Sequence, residues 1–292
     1  MTLTPLVARP AQSARHRRAG ALMVLPAVAA TALVVGGGLG ATVLQSLGLL
    51  PVVGEAELSF AAYTRDPDAL WAAVGVSFWV AGASTLIAAV VGMAAAVVIV
   101  SGRWGGRVVA ALGAATVTVP HLIGAAAIGL LLADGGMLSR MLGVPPEAWP
   151  AFVGGPLWAA AIAEFAWKES AFIALVVTGT LATRIARYDE SAALLGAGRW
   201  QRFRRVFLPL TAPTLLICSA ISFVYALASY EVSWLLGRTY PEPLPVLAVR
   251  LFQGVSLDSR PDAAAVAVVT SAIALAVVAG TFAILRRTAV WR

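Results

Sequence analysis

Four ionisable side chains interrupt otherwise apolar stretches of this sequence. Glu164, Lys168 and Glu169 lie close together in one stretch, and Glu231 lies near the end of another. Charged groups are costly to bury in apolar surroundings, so they usually face a cavity, one another or a partner. Glu164 precedes Lys168 by four residues, the order that favours an ion pair on one helix. We therefore expect these four residues either to line a path for a polar solute or to tie helices together.

The residues of several common catalytic sites are missing from this sequence. Lys168 is the only lysine, and no glycine-rich turn precedes it, whereas a P-loop for nucleotide phosphates needs both. With the histidines His16 and His121 and the single cysteine Cys218, the HExxH and GxSxG arrangements of metalloproteases and serine hydrolases are also absent. We expect no catalytic residue, no metal site and no bound cofactor in this chain. His121 follows Pro120, and we expect it to be a hydrogen-bonded interior residue.

The composition indicates that most of the chain lies out of water. Hydrophobic residues make up 60% of the 292 residues and charged residues 12%, whereas soluble domains carry about 25% charged residues. A bilayer core about 30 Å thick needs roughly 20 consecutive apolar residues in a helix. The apolar stretches predict an all-α, polytopic membrane protein with about six transmembrane helices. The predicted spans are approximately residues 20–44, 70–100, 108–132, 156–182, 210–236 and 263–285.

Charge is distributed unevenly among the segments that join these spans. If residues 1–18 lie in the cytoplasm, fifteen of the twenty arginines fall on the cytoplasmic side and most acidic residues fall on the other. Arginine and lysine bias a loop towards the cytoplasm, so we expect one membrane domain over residues 19–285, with cytoplasmic tails at 1–18 and 286–292. The net charge of +7 then reflects topology and contact with membrane lipid, and we expect no nucleic-acid partner.

The longest predicted cytoplasmic segment, residues 184–209, carries a pattern of fixed spacing. A Glu-Ser-Ala triplet is followed after three residues by glycine, after nine more by valine, and after one more by Leu-Pro. The residues are Glu190, Ser191, Ala192, Gly196, Val206, Leu208 and Pro209. Residues 185–195 predict a short helix that the glycine ends in a left-handed turn, and a second helix is expected from about Arg199.

This pattern resembles the EAA loop of the permease subunits of binding-protein-dependent ABC importers. Ser191 stands where the family usually has alanine, and Val206 where it has isoleucine. The resemblance implies a type I importer permease in the bacterial cytoplasmic (inner) membrane, whose EAA residues form a coupling loop. The implied partners are an ABC ATPase dimer that binds ATP and Mg²⁺, a second permease subunit, identical or different, and an extracytoplasmic solute-binding protein.

Shorter likenesses lie outside this loop. The sequences Pro120-His121, Trp167-Lys168-Glu169 and Leu235-Leu236-Gly237 resemble the spermidine/putrescine and thiamine branch of these permeases. The acidic residues of the spans also favour a cationic solute, although the solute itself is not defined by the sequence.

Other functions remain open from the sequence. One is a self-sufficient secondary transporter driven by an ion gradient, and another is a membrane scaffold or sensor without transport. The arginines of residues 184–209 also suit contact with anionic lipid headgroups. Association with an ATPase and a binding protein would separate the importer from these alternatives.

Overall fold

The part of the chain that the computed structural model describes, residues 22–287, is helical and contains no strand. The predicted all-α class is therefore confirmed. The described helices are α1 (Leu22–Ser46), α2 (Pro67–Val100), α3 (Trp104–Thr118), α4 (His121–Leu132), α5 (Met137–Leu142), α6 (Ala159–Leu194), α7 (Arg199–Ala228), α8 (Glu231–Leu236), α9 (Leu244–Gln253) and α10 (Arg260–Arg287). Single helical turns lie at Ala61–Thr64, Pro146–Ala148 and Leu257–Ser259.

Within residues 22–287, five helical segments are long and apolar enough to cross a membrane. They are Leu22–Ser46, Pro67–Val100, His121–Leu142, Arg199–Ala228 and Leu257–Arg287. The helix α6 has 36 residues, which correspond to about 54 Å at 1.5 Å per residue, and it carries Glu164, Lys168 and Glu169. The polytopic class is confirmed, while the number of six crossings stays a prediction. The predicted tail at 1–18 and most of the tail at 286–292 lie outside the described residues.

Two of the predicted spans are interrupted in the structure. The predicted span 108–132 is divided between α3 and α4, with Val119 and Pro120 in extended conformations between them. Proline has no N–H for a helical hydrogen bond, and it disfavours helical geometry in the residue before it. The predicted span 210–236 is divided at Ser229, which has an extended conformation between α7 and α8. At both interruptions the regular pattern of helical backbone hydrogen bonds is broken inside the bundle.

The helices α2 and α6 form the most extensive contact in the bundle. The buried face of α2 consists mainly of small residues, which allow two helix backbones to approach closely. These are Ala73, Ser77, Ala81, Ser84, Ala88, Gly92 and Ala96. The approach is close at Gly92, where an added Cβ would lie 2.8 Å from the Ser170 carbonyl oxygen and 2.9 Å from Ile173 Cβ. This packing holds α6, and with it the buried charges, at the centre of the bundle.

We expect Gly92→Val to destabilise the bundle strongly. The new side chain would have to displace backbone of α6, and overpacking of this kind costs about 1–3 kcal/mol or more. Gly82→Val on the same helix is the control, because an added Cβ there meets no atom within 4 Å. The thermal unfolding midpoint of the detergent-solubilised chain should fall for Gly92→Val and stay near the parent value for Gly82→Val. Equal midpoints for the two variants would contradict the close α2–α6 approach.

Candidate functional site: the coupling elbow and a buried polar cluster

The segment that resembles an EAA loop, residues 184–209, forms an elbow between α6 and α7. The helix α6 continues to Leu194, so the expectation of a separate short helix over 185–195 is wrong. No proline or glycine separates this region from the span before it, and the helix simply runs on past the apolar stretch. The elbow therefore begins at the end of a rigid 36-residue rod.

A glycine-dependent turn ends this rod. Gly196 has φ of +80°, as the sequence predicts, and two backbone hydrogen bonds close the turn. The Ala197 N–H donates to the Ala192 carbonyl at 3.0 Å, and the Gly196 N–H donates to the Ala193 carbonyl at 3.0 Å. This is the Schellman arrangement, which requires a left-handed residue after the helix and so favours glycine there.

Side chains brace the two arms of the elbow against each other. Arg202 Nη1 of α7 donates to Asp189 Oδ2 of α6 at 2.5 Å. Gln201 Oε1 accepts a hydrogen bond from the Gly198 N–H at 3.2 Å and so caps the start of α7. The turn and the brace together hold the end of α6 against the start of α7.

The tip of the elbow is exposed and apolar. Leu194 and Leu195 have 88% and 89% of their surface accessible, and Glu190 and Ser191 beside them are also exposed. A contiguous exposed apolar surface next to a carboxylate is typical of a protein-docking site. The small residues of this segment were predictable from the sequence pattern, whereas the two leucines were not identified from it. The available signal was an apolar pair next to the turn glycine, in a segment assigned to water.

The second arm of the elbow enters the bundle through a widened helical turn. Residues Phe203–Phe207 form a π-helix in which the Leu208 N–H donates to the Phe203 carbonyl. Pro209 cannot donate to the carbonyl four residues before it, and an extra residue in the turn relieves that conflict. Phe207 is buried in a cluster with Met93 of α2 and Ile185 of α6. The motif residues Val206, Leu208 and Pro209 therefore lie at the point where the elbow joins the helix core.

A polar cluster lies inside the bundle, beside the break between α3 and α4. Glu164 of α6 is fully buried, and its Oε1 lies 3.1 Å from His121 Nδ1. The other ring nitrogen of His121, Nε2, lies 3.7 Å from Glu169 Oε1. Ser222 Oγ of α7 donates to Glu169 Oε2 at 2.5 Å. His121 is hydrogen-bonded as expected, and it links two carboxylates that the sequence could not bring together.

The direct ion pair that the spacing of Glu164 and Lys168 favours does not form in the structure. Lys168 Nζ donates instead to the carbonyl of Thr116 at 2.7 Å and to the carbonyl of Val119. Pro120 has no N–H to offer to the Thr116 carbonyl four residues before it, and the C-terminal end of a helix carries partial negative charge. The ammonium group therefore caps the broken end of α3, while Glu164 is left to His121.

The cluster borders a cleft of about 360 Å³. Pro120, His121, Lys168, Glu169 and Tyr225 are among the lining residues, and the rings of His121 and Tyr225 have centroids 4.5 Å apart. Such a cleft offers polar groups, a broken helix and an aromatic wall to a small solute.

The structure brings together only part of the predicted set of path residues. Glu164, Lys168 and Glu169 all belong to the cluster, whereas Glu231 is exposed at the first position of α8. Ser222 and Tyr225 were missed because nothing in the sequence shows which face of α7 meets α6. The Pro120-His121 pair in mid-span was the signal for the break itself.

These features define a polytopic membrane protein of the transporter class, with buried polar groups beside a broken span and an elbow exposed at one end. Residues 88–288 match the family described as "Binding-protein-dependent transport system inner membrane component". This match covers more than half of the chain, and the chain belongs to that family. A resemblance to importer permeases is therefore confirmed, while the spermidine/putrescine and thiamine branch stays a prediction.

Similar proteins are also named as permeases of transport systems. The probable ABC transporter permease protein y4fN of Sinorhizobium fredii is 42% identical over 82 residues, which are 28% of this chain and 14% of that protein. The sulfoquinovosyl glycerol transport system permease protein SmoG of Agrobacterium fabrum is 30% identical over 122 residues, 41% of this chain and 40% of that protein. The chain thus spans less than half the length of these curated relatives.

A solved structure shares the fold over nearly the whole chain. It is a bacterial alginate ABC transporter in complex with an alginate pentasaccharide-bound periplasmic protein. The TM-score is 0.76 at 20% identity, and the match covers 96% of this chain and 98% of the other. At this identity the likeness establishes the fold alone.

Proposed function

We propose that this chain is the transmembrane permease subunit of an ABC importer and that a separate ATPase docks on the elbow. The exposed tip carries the proposal, because Leu194 and Leu195 form an adjacent apolar pair beside the Glu190 carboxylate, a surface suited to docking of a protein partner. The family membership supports it. The residues assigned to ATPase coupling are Glu190, Ser191, Ala192, Gly196, Val206, Leu208 and Pro209.

The proposed assembly contains several chains in the bacterial cytoplasmic membrane. An ABC ATPase dimer binds ATP and Mg²⁺, a second permease subunit completes the path, and an extracytoplasmic binding protein delivers the solute. The periplasmic protein in the alginate transporter complex supports the last of these partners. In this arrangement the elbow and both chain termini face the cytoplasm, which agrees with the arginine-rich segment at residues 184–209.

Coupling follows from the rigidity of the elbow. Closure of the ATPase dimer would displace the tip, and the Asp189–Arg202 brace, with its atoms 2.5 Å apart, would carry that displacement to both α6 and α7. The same two helices supply Glu169 and Ser222 to the polar cluster. A shift of one helix against the other would therefore change the cleft beside His121, which we assign to the solute path.

The proposed solute is a small sugar-type molecule. Two of the similar proteins are named for solutes built on sugar rings, sulfoquinovosyl glycerol and alginate. The cleft of about 360 Å³ beside the cluster falls in the size range of small-molecule sites.

Capture of the ATPase tests the docking site. The full chain, purified in mild detergent from its host, should retain an ATP-binding subunit, and the double variant Leu194→Asp and Leu195→Asp should retain at least about tenfold less. Loss of a central apolar contact of this kind costs 2 kcal/mol or more at an interface, roughly a factor of 30 in affinity. Quantitative mass spectrometry of the purified complex gives the ratio of the two subunits.

Val255→Asp is the matched control for this test. Val255 is fully exposed, at 104% of its reference surface, and it lies in the loop after α9, at the other end of α7 from the elbow. ATPase capture should be unchanged in this variant. A parent chain that retains no ATP-binding subunit, or a double variant that retains as much as the parent, would contradict the proposed function and would favour a self-sufficient transporter or a scaffold.

A further inference from the structure

A polar cavity lies at the end of the bundle opposite to the elbow. It has a volume of about 310 Å³ and is formed by α8, the loop after it and α9. Its lining includes Tyr230, Trp234, Arg238, Glu242 and Arg250. None of these residues belongs to the elbow or to the His121 cluster. A cavity of this size accommodates a monosaccharide-sized molecule.

Two arginines give this cavity a positive charge. Arg238 is half-buried and makes no hydrogen bond or ion pair with another described residue. Arg250 donates through Nε to Glu242 Oε1 at 2.6 Å, and Glu242 is only 6% exposed. The carboxylate therefore fixes the Arg250 side chain, while neither Nη group has a hydrogen-bond partner among the described residues. With one acid against two cations, the lining has a net formal charge of about +1.

Aromatic rings form another part of the wall. The rings of Tyr230 and Trp234 have centroids 6.2 Å apart and an angle of 23° between their planes. Trp234 is 62% exposed, so one face of its ring is accessible. Behind it, Gly237 lies against the ring of Trp158, which is 2% exposed. The wall is therefore backed by packed core.

We propose that this cavity binds the anionic group of a sugar-type solute at the entrance of the transport path. Arg238 and the Nη groups of Arg250 hold a carboxylate or sulfonate, and Trp234 packs against the sugar ring. Guanidinium groups bind such anions through paired, charge-assisted hydrogen bonds. The assignment to a transport path rests on the proposed function, whereas the anion site itself rests on the cavity. An anionic solute also replaces the cationic one that the buried glutamates suggest from sequence.

Glucuronate and glucose form the matched probe pair, because they share the sugar ring and differ in the carboxylate. Each is titrated onto the full chain in phosphatidylcholine nanodiscs, and binding is followed by saturation-transfer NMR of the sugar protons. Glucuronate should bind at least about tenfold more tightly than glucose, since charge-assisted hydrogen bonds contribute free energy of that order. Arg250→Gln and Arg238→Gln should each weaken glucuronate binding and leave the weak glucose signal unchanged.

Arg140→Gln is the control variant. Arg140 is exposed in α5 and is not among the cavity residues, so the glucuronate affinity should stay at the parent value. Equal affinities for glucuronate and glucose, absence of glucuronate binding, or equal loss in Arg140→Gln and Arg250→Gln would overturn the anion site. The melting temperature of each variant confirms that it is folded.

A lipid headgroup offers the same anionic chemistry, and the nanodisc composition distinguishes the two sources. Glucuronate binding that persists in discs containing phosphatidylglycerol assigns the cavity to a solute. Binding that is lost in those discs assigns it to the headgroup and overturns the solute proposal. Because this experiment needs no ATPase, its failure is separate from a failure of ATPase capture at the elbow.

Discussion

Replacing Gly196 with valine should reduce ATP hydrolysis by the assembled transporter at least about fivefold while the helix bundle stays folded. Gly196 has φ of +80°, and an L-residue in left-handed backbone costs about 1–2 kcal/mol, which is a factor of about 5–30 in an equilibrium. An added Cβ meets no atom within 4 Å. The free-energy cost of the substitution therefore comes from the backbone of the turn alone. A changed turn would move the tip out of the orientation in which the ATPase binds.

Gly198→Val is the matched control two residues further along the chain. Gly198 has φ of −66° and ψ of 163°, an extended conformation that valine adopts readily, and its surroundings are equally open. ATP hydrolysis per permease, measured on complexes in nanodiscs, should stay near the parent value. Equal rates for the two variants would show that the left-handed turn is not required for coupling.

Replacing Lys168 with methionine should lower the free energy of unfolding of the bundle by on the order of 3 kcal/mol. Methionine is apolar and similar in length, so it removes the two hydrogen bonds to the Thr116 and Val119 carbonyls. Hydrogen bonds to charged groups contribute about 1.5–3 kcal/mol each. The Val119 carbonyl would lose the ammonium donor, whereas the Thr116 carbonyl keeps its hydrogen bond from the Val119 N–H. Glu164 and Glu169 would also lose the nearest cation on their own helix.

Ser84→Ala provides the comparison for this prediction. Ser84 is as buried as Lys168, but its hydroxyl donates only to carbonyls of its own helix, Val80 and Ala81. Its loss should change the free energy of unfolding by less than about 1 kcal/mol. The free energy of unfolding of both variants is measured in mixed micelles. A Lys168→Met chain as stable as the Ser84→Ala chain would contradict the capping of α3.

The fold was predictable from the sequence because lipid imposes simple rules. Apolar runs of sufficient length predicted the helices, and the fixed spacing from Glu190 to Pro209 predicted the turn at Gly196. Pro120 marked a bend in mid-span. The interruption at Ser229 was not predictable, because no proline or glycine lies there and the extended residue is held by the helices around it.

The polar cluster was predictable only in part, because the spacing of residues along one helix does not determine which residues of other helices they contact. Glu164 and Lys168 suit an ion pair on an isolated helix. In the folded chain the ammonium group donates instead to the Thr116 and Val119 carbonyls, at the end of α3 where the helix carries partial negative charge. Likewise, the link from His121 to Glu169 depends on how closely α4 approaches α6. Small residues such as Gly124, whose added Cβ would lie 3.0 Å from Glu164 Oε1, set that distance.

Crosslinking from the tip of the elbow is the most direct test of coupling through a separate ATPase. Cys218 is the only cysteine in the chain, so Leu195→Cys in a Cys218→Ser background places one reactive thiol at the tip. A bifunctional maleimide applied to inside-out membrane vesicles should join this thiol to an ATP-binding subunit, and an impermeant maleimide should not reach it in right-side-out vesicles. Labelling from the outer face, or crosslinked products that contain no ATP-binding subunit, would contradict the proposed role of the elbow.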